Sequence, residues 1–163
     1  MTQKTRILIG ISILVVLVGV VVGADVLRRQ AASGDLPAGS IPIYLDGRRL
    51  GAFSPADLEQ LKQVSFVDSA EGKEQAGWLL RDVLLLHVET AQLTPETLIT
   101  VSSASREKSA QLTWAEVNEE ANWVMFDLSN RGTLKLASVL EKLDTRDEWV
   151  QDVDRIEITR PLE

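Results

Sequence analysis

Ala76–Leu85 reads AGWLLRDVLL. Gly77 predicts a turn, and the residues after it predict a short amphipathic helix. Leu79, Leu80, Val83 and Leu84 fall at helical spacing and give that helix a buried face. Arg81 and Asp82 stand between them. The rest of the chain after residue 40 orders itself around this stretch as strands and short helices.

Upstream, Gln63–Ser69 (QVSFVDS) alternates as a strand, with either Val64 and Phe66 or their neighbours turned inward. Ala70–Gln75 reads as a polar loop. Ser54-Pro55-Ala56-Asp57 predicts a helix start. Serine caps, proline presets φ at the first helical position, and Asp57 faces the positive end of the helix dipole. Leu58 and Leu61 give that helix its apolar side. Ile41–Phe53 (IPIYLDGRRLGAF) predicts a hairpin, because Asp46-Gly47 between two apolar runs suits a type I′ turn.

Downstream, Leu98–Ser102 is a short apolar strand, and Lys108–Leu112 pairs with it. Thr113-Trp114-Ala115-Glu116 has the form of a capping box. Asn122–Leu128 and Thr133–Val139 predict two strands joined at Ser129–Gly132. Arg155–Thr159 (RIEIT) alternates as a last strand. Many short strands with three short helices predict an α+β, strand-dominated domain.

The chain has 163 residues and a net charge of −7. Residues 25–163 hold 15 basic and 24 acidic side chains, a net of −9. Such a domain repels phosphate backbones, so no nucleic-acid partner is expected. The chain contains no cysteine. Disulfides, zinc–thiolate sites, iron–sulfur clusters and cysteine nucleophiles are therefore excluded.

Residues 7–24 (ILIGISILVVLVGVVVGA) carry no charge. At ~1.5 Å per residue they span roughly 27 Å, close to a bilayer core. A single transmembrane helix is the leading reading. A cleaved signal peptide, cut after Val22-Gly23-Ala24, is the competing one. Lys4, Arg6 and the α-amino group outnumber Arg28 and Arg29, which places the N-terminus in the cytoplasm and the domain outside it, in a periplasmic or extracellular space. Gly19 and Gly23 form a G-x-x-x-G, a pattern that lets a second membrane helix approach closely. Residues 1–30 thus read as anchor, 31–40 as a small, polar linker broken by glycine and proline, and 41–163 as the domain.

The order of segments resembles the sulfite-oxidase-type molybdopterin-binding fold. That family carries a segment of the form G-v-x-L-r-D-L-L. Gly77, Leu80, Arg81, Asp82, Leu84 and Leu85 match it. Ile99–Ser103, Leu112–Glu116, Val124–Asp127 and Trp149–Ile158 also fit, so the resemblance covers Ile41–Thr159. It implies the same fold and, in the family, a molybdenum held by a cysteine in the strand before that segment. Here the region reads Val67-Asp68-Ser69-Ala70-Glu71-Gly72. Serine and aspartate do not supply a soft thiolate. Of the basic residues that grip the cofactor phosphate, Lys73 alone stands in this stretch. The resemblance therefore implies a relative without the metal site, and no cofactor is expected.

His87 is the only histidine and follows Leu84-Leu85-Leu86, which suits a helix end better than a base or ligand. Glu141, Asp144, Asp147, Glu148, Asp152 and Asp154 lack EF-hand spacing. Interleaved with Lys142, Arg146 and Arg155, they read as a salt-bridged surface. Four tryptophans stand out. Two or three are expected in the core, while Trp78 and Trp149, beside helix start and charge, are candidate interface residues. Ser102–Ser105 is a polar turn able to hydrogen-bond a small ligand.

The functional expectation is a non-catalytic, membrane-anchored accessory subunit, without catalytic, cofactor or metal residues of its own. Its extracytoplasmic domain binds or stabilises a partner in a larger membrane complex, an electron-transfer complex among them. An acidic face also suits a basic soluble partner. The alternative is a tethered redox or small-molecule domain for a pterin-like ligand, with a concave pocket beside Asp68–Lys73 and Ser102–Ser105.

Overall fold

The computed structural model describes residue 36 and residues 39–68, 71–129 and 131–161. The expected membrane helix, with Gly19 and Gly23, and most of the expected linker lie outside them. Among the described residues no helix is long and apolar enough to cross a membrane.

Two sheets carry the domain. The first has the order β2-β1-β9-β5-β6, built from β1 (Ile41–Leu45), β2 (Arg48–Phe53), β5 (Leu98–Ser103), β6 (Lys108–Thr113) and β9 (Arg155–Thr159). β1 and β9 run parallel, with Ile43 opposite Ile156, and the other pairs are antiparallel. The second sheet has the order β3-β4-β7-β8, from β3 (Val64–Val67), β4 (Glu74–Leu79), β7 (Met125–Leu128) and β8 (Leu134–Ala137), all antiparallel. Three short α-helices, α1 (Pro55–Leu58), α2 (Leu80–Leu85) and α3 (Trp114–Asn118), and 3₁₀ turns at Thr90–Gln92, Glu120–Asn122 and Glu141–Leu143 complete the described part. The domain is strand-dominated and mixed, as the segment pattern predicts.

Alternation along the strands sorts the side chains. Ile43, Ile99, Val101, Ile156 and Ile158 point from the five-stranded sheet into the main core. Phe126 and Leu136 point into it from the four-stranded sheet, and Phe126 stacks on Phe53 with ring centroids 5.6 Å apart. α2 adds Leu80, Val83 and Leu84, and α3 adds Trp114 and Val117. The opposite face of the four-stranded sheet holds a smaller cluster of Phe66, Leu79, Met125, Ala137 and Trp149. That sheet is therefore covered on both faces, which favours apolar residues on both sides of its central strands.

Local chemistry explains the ends of several elements. Asp46 and Gly47 both take positive φ, 48° and 75°, as a type I′ hairpin turn requires. Thr113 and Glu116 form the expected capping box: the Glu116 amide donates to Thr113 Oγ1 at 3.2 Å, and the Thr113 amide donates to Glu116 Oε2 at 2.7 Å. At Ser54 the backbone amide donates to Asp57 Oδ2 at 2.7 Å.

Ala76–Leu85 differs from its sequence reading. Gly77 is not a turn residue; it lies inside β4, and the helix begins three residues later at Leu80. The loop expected over Ala70–Gln75 gives way to β4 at Glu74. Strand pairing with β3 and β7 prevails over the local helical pattern, because both neighbours hydrogen-bond this segment. The four expected apolar residues Leu79, Leu80, Val83 and Leu84 are all buried. β7 also starts later than the pattern suggests. Glu120–Asn122 forms a 3₁₀ turn, and Trp123 follows it with φ 47°.

Candidate functional site

Asp68 at the end of β3, Glu71, Lys73 and Arg146 form an ionic network. The Asp68 amide donates to the Lys73 carbonyl and the Gly72 amide to the Asp68 carbonyl, both at 2.8 Å, so the loop turns tightly back into β4. The Asp68 carboxylate is fully buried and lies 3.8 Å from Arg146 Nε. The same guanidinium reaches Glu71 at 3.2 Å, and Glu71 also takes Lys73 at 2.8 Å. A carboxylate removed from water needs such partners, since its desolvation costs several kcal/mol.

Beside this network a groove of about 850 Å³ runs over the end of the four-stranded sheet. Its floor includes Gln75, Asp127, Lys135 and Trp149. Lys135 Nζ donates to Gln75 Oε1 at 2.8 Å and pairs with Asp127 Oδ2 at 2.9 Å. It also lies 4.8 Å from the centre of the Trp149 ring, and the Arg146 guanidinium lies 5.9 Å from it. Arg131 enters the groove from the β7–β8 turn and pairs with Asp152 at 3.1 Å. Asp152 in turn accepts from Thr133 Oγ1 and Arg106 Nε, both at 2.6 Å. Those two bonds, the Thr133 hydroxyl first, hold the Asp152 carboxyl below its ordinary range.

These cations were not legible as a group. Lys73 is the one visible from its local sequence, whereas Arg131, Lys135 and Arg146 arrive from a turn, a strand and a loop far along the chain. Each is already paired with a carboxylate of this chain. The arrangement is a neutralised polar groove rather than an anion trap.

The residues do not fit the thiolate-held molybdenum of the family that the sequence resembles. The chain has no cysteine, and the Asp68 carboxylate in the corresponding loop is turned to Arg146. Among the described residues no group of three or more histidine, cysteine or acidic side chains is placed to hold a metal. Of the acidic residues around 141–154, Asp152 pairs with Arg106 and Arg131, Asp154 accepts from the Ala104 amide and Glu148 from the Thr145 amide.

The sequence candidates fall in different places. Trp149 is only 2% exposed, and its indole N–H donates to the Leu143 carbonyl at 2.9 Å. It is a core residue in this fold and offers almost no surface to a partner. Trp78 is half-buried against the main core. Trp123, by contrast, lines a second cleft of about 410 Å³ with Val64, Leu79 and Arg81. Arg81 pairs with Asp82 and with Glu120, both at 3.0 Å. His87 follows α2, half-buried against Gly51, and its Nε2 has no hydrogen-bond partner among the described residues. Ser103 and Ser105 hydroxyls bond each other at 3.3 Å, and the Ala104 amide donates to Asp154. The Ser102–Ser105 turn does not line the large groove; Lys73, from the Asp68–Lys73 side, does.

The sequence matches no model of a known protein family and no curated protein.

Proposed function

We propose that this chain is a non-catalytic, membrane-anchored accessory subunit. Residues 7–24 hold it in the bilayer, with Gly19 and Gly23 on a helix-packing face, and a domain of sulfite-oxidase-like fold binds a partner on the extracytoplasmic side. Tethering raises the effective concentration of the domain for a partner in the same membrane. The observation that supports this reading best is the Asp68–Arg146–Glu71–Lys73 network. It fills with the chain's own charges the region that a catalytic relative devotes to its cofactor. The test is a native gel of membranes solubilised in mild detergent, with mass spectrometry of the band. Comigration with a larger complex is expected; migration as a lone small protein counts against the reading.

The groove of about 850 Å³ favours a second reading, a tethered small-molecule or redox domain. Its cations then exchange internal carboxylates for a ligand. Purified full-length protein, denatured and assayed for released pterin by fluorescence after oxidation, decides this. A stoichiometric release supports it, and none at all removes the pterin form of it.

A further inference from the structure

Four strands stand at the edges of the two sheets, and three of them are guarded. β2 carries Arg48 and Arg49, and its pairing with β1 is broken by a bulge between Ile43 and Tyr44. β6 carries Lys108 at its start. β8 is covered: Val150 bridges to Leu136, and the Val153 amide donates to the Leu134 carbonyl. Charges, bulges and covering segments protect a free edge from pairing with another chain. β3, Val64-Ser65-Phe66-Val67, has only its shortness. Among the described residues it pairs with β4 alone.

The register says which groups this edge presents. The Asp68 amide donates to the Lys73 carbonyl, and from there Phe66 stands opposite Gln75 and Val64 opposite Gly77. Backbone polar groups of an antiparallel pair turn in and out at alternate residues. Val64 and Phe66 therefore bond to β4, and the N–H and C=O groups of Ser65 and Val67 point to the open side. The side chains of Val64 and Phe66 join the smaller cluster. Those of Ser65 and Val67 lie on the other face and are exposed. Val67 is 64% exposed, more than any other large apolar residue described. Lys62, just before the strand, is exposed and has no ion pair among the described residues.

We propose that β3 pairs antiparallel with β3 of a second copy of this chain, about a two-fold axis at Phe66. Ser65 of each copy then exchanges both hydrogen bonds with Val67 of the other, which satisfies every outward group of the two edges. The two Phe66 residues stand opposite each other in the non-hydrogen-bonded position, where cross-strand side chains come closest. The four residues of β3 bring no charge to this contact. The antiparallel direction keeps the two Lys62 ammonium groups at opposite ends, each toward the turn of the other copy that carries Glu71. The two-fold uses up both free edges, so the contact closes as a dimer with one eight-stranded sheet. The sequence Gly19-x-x-x-Gly23 independently suits a second copy, since this pattern packs like helices together. The inference goes beyond the accessory-subunit reading and stands without it.

The chain has no cysteine, so introduced cysteines report alone. Full-length Ser65→Cys and Val67→Cys chains with different tags are co-expressed and mildly oxidised in intact cells. Ser65 faces Val67 of the other copy, whereas Ser65–Ser65 and Val67–Val67 are diagonal and too far apart for an unstrained disulfide. The mixed covalent dimer is expected to exceed that of either chain alone by about fivefold. Gln111→Cys, on the other sheet, is expected to give none. Excess cysteine-free wild type is expected to compete the mixed dimer away. Val67→Lys, which puts a charge on the open edge at an exposed position, is expected not to compete. Ser65→Pro carries the same comparison if Val67→Lys folds poorly, because it removes an outward N–H and leaves the β3–β4 ladder whole. The proposal is overturned by a mixed yield no higher than that of the single chains, by a dimer that wild type does not compete away, or by equal competition from wild type and the edge variant.

Discussion

Gly77 lies against the backbone of Phe126 on the neighbouring strand. A Cβ on Gly77 would overlap the Phe126 carbonyl oxygen and sit 2.7 Å from its carbon. Neighbouring strands of this sheet therefore approach more closely here than any side chain permits. Trp78 and Phe126, paired across the same two strands, both face the main core.

Gly77→Ala is expected to force β4 and β7 apart. Overpacking against backbone has no flexible side chain to absorb it, so the cost is about 3 kcal/mol. Thermal melting of the variant checks this, with a fall on the order of 10 °C expected. A melting temperature within a few degrees of wild type would show that the two strands part without penalty.

Lys135 ties two strands of the second sheet together through one ammonium. It serves Gln75 on β4 and Asp127 on β7, and the side chains of the Lys135–Asp127 pair are only 17% and 15% exposed. Lys135→Met leaves Asp127 charged and without this partner in a poorly solvated place. The expected loss is about 3 kcal/mol in urea unfolding. Lys135→Met combined with Asp127→Leu is expected to recover most of it, because apolar pairs replace buried ion pairs at little cost. A double variant as weak as the single one would place the damage elsewhere, in the packing over Trp149.

Elements whose cause is local were readable in advance. The Asp46-Gly47 turn and the Thr113–Glu116 box each need only a few consecutive residues. Gly77 was misread because its reason lies on β7, some fifty positions away, and a glycine before an apolar run looks the same in a turn and in a strand. The groove was half legible. Lys73 directly precedes β4, but Arg131, Lys135 and Arg146 meet it only through strand pairing and the fold of the 141–151 segment. Trp149 beside Glu148 reads as a candidate interface residue, yet the Leu143 carbonyl and two cations enclose it. The order of the five-stranded sheet depends on β9 lying beside β1, a pairing of distant strands that no local pattern announces.

Thr113 caps α3 and connects it to β6. Its hydroxyl accepts from the Glu116 amide, and Glu116 also receives Lys142 at 2.7 Å. Burial pushes the Glu116 carboxyl up, but Lys142 and both Thr113 bonds outweigh it and hold the group below its ordinary 4.5. Thr113→Ala is expected to cost about 1 kcal/mol. Thr113→Ser, which keeps the oxygen, is expected to cost less than half of that. Equal losses in urea unfolding would mean that the threonine methyl, not the cap, is what matters.

Asp152 joins three loops, accepting from Thr133, Arg106 and Arg131, from a backbone with φ 53°. Its carboxyl is held below the ordinary 3.8, by the Thr133 hydroxyl first and Arg106 next. Asp46, held by the Arg160 amide and guanidinium, is lowered as well. A carboxylate whose pKa is lower folded than unfolded stabilises the fold fully above its unfolded value. That contribution disappears as pH falls through the folded value. Acid unfolding of the domain is therefore expected below about pH 4, with no loss between neutral pH and that point from these groups. Asp152→Asn removes one of the protonations that drive it. The variant is expected to start less stable at pH 7 and to lose less on acidification, so that its melting temperature approaches that of wild type as pH falls through the folded value of Asp152. A gap between the two that stays constant from pH 7 to pH 3 would show that the Asp152 charge plays no part in joining these loops.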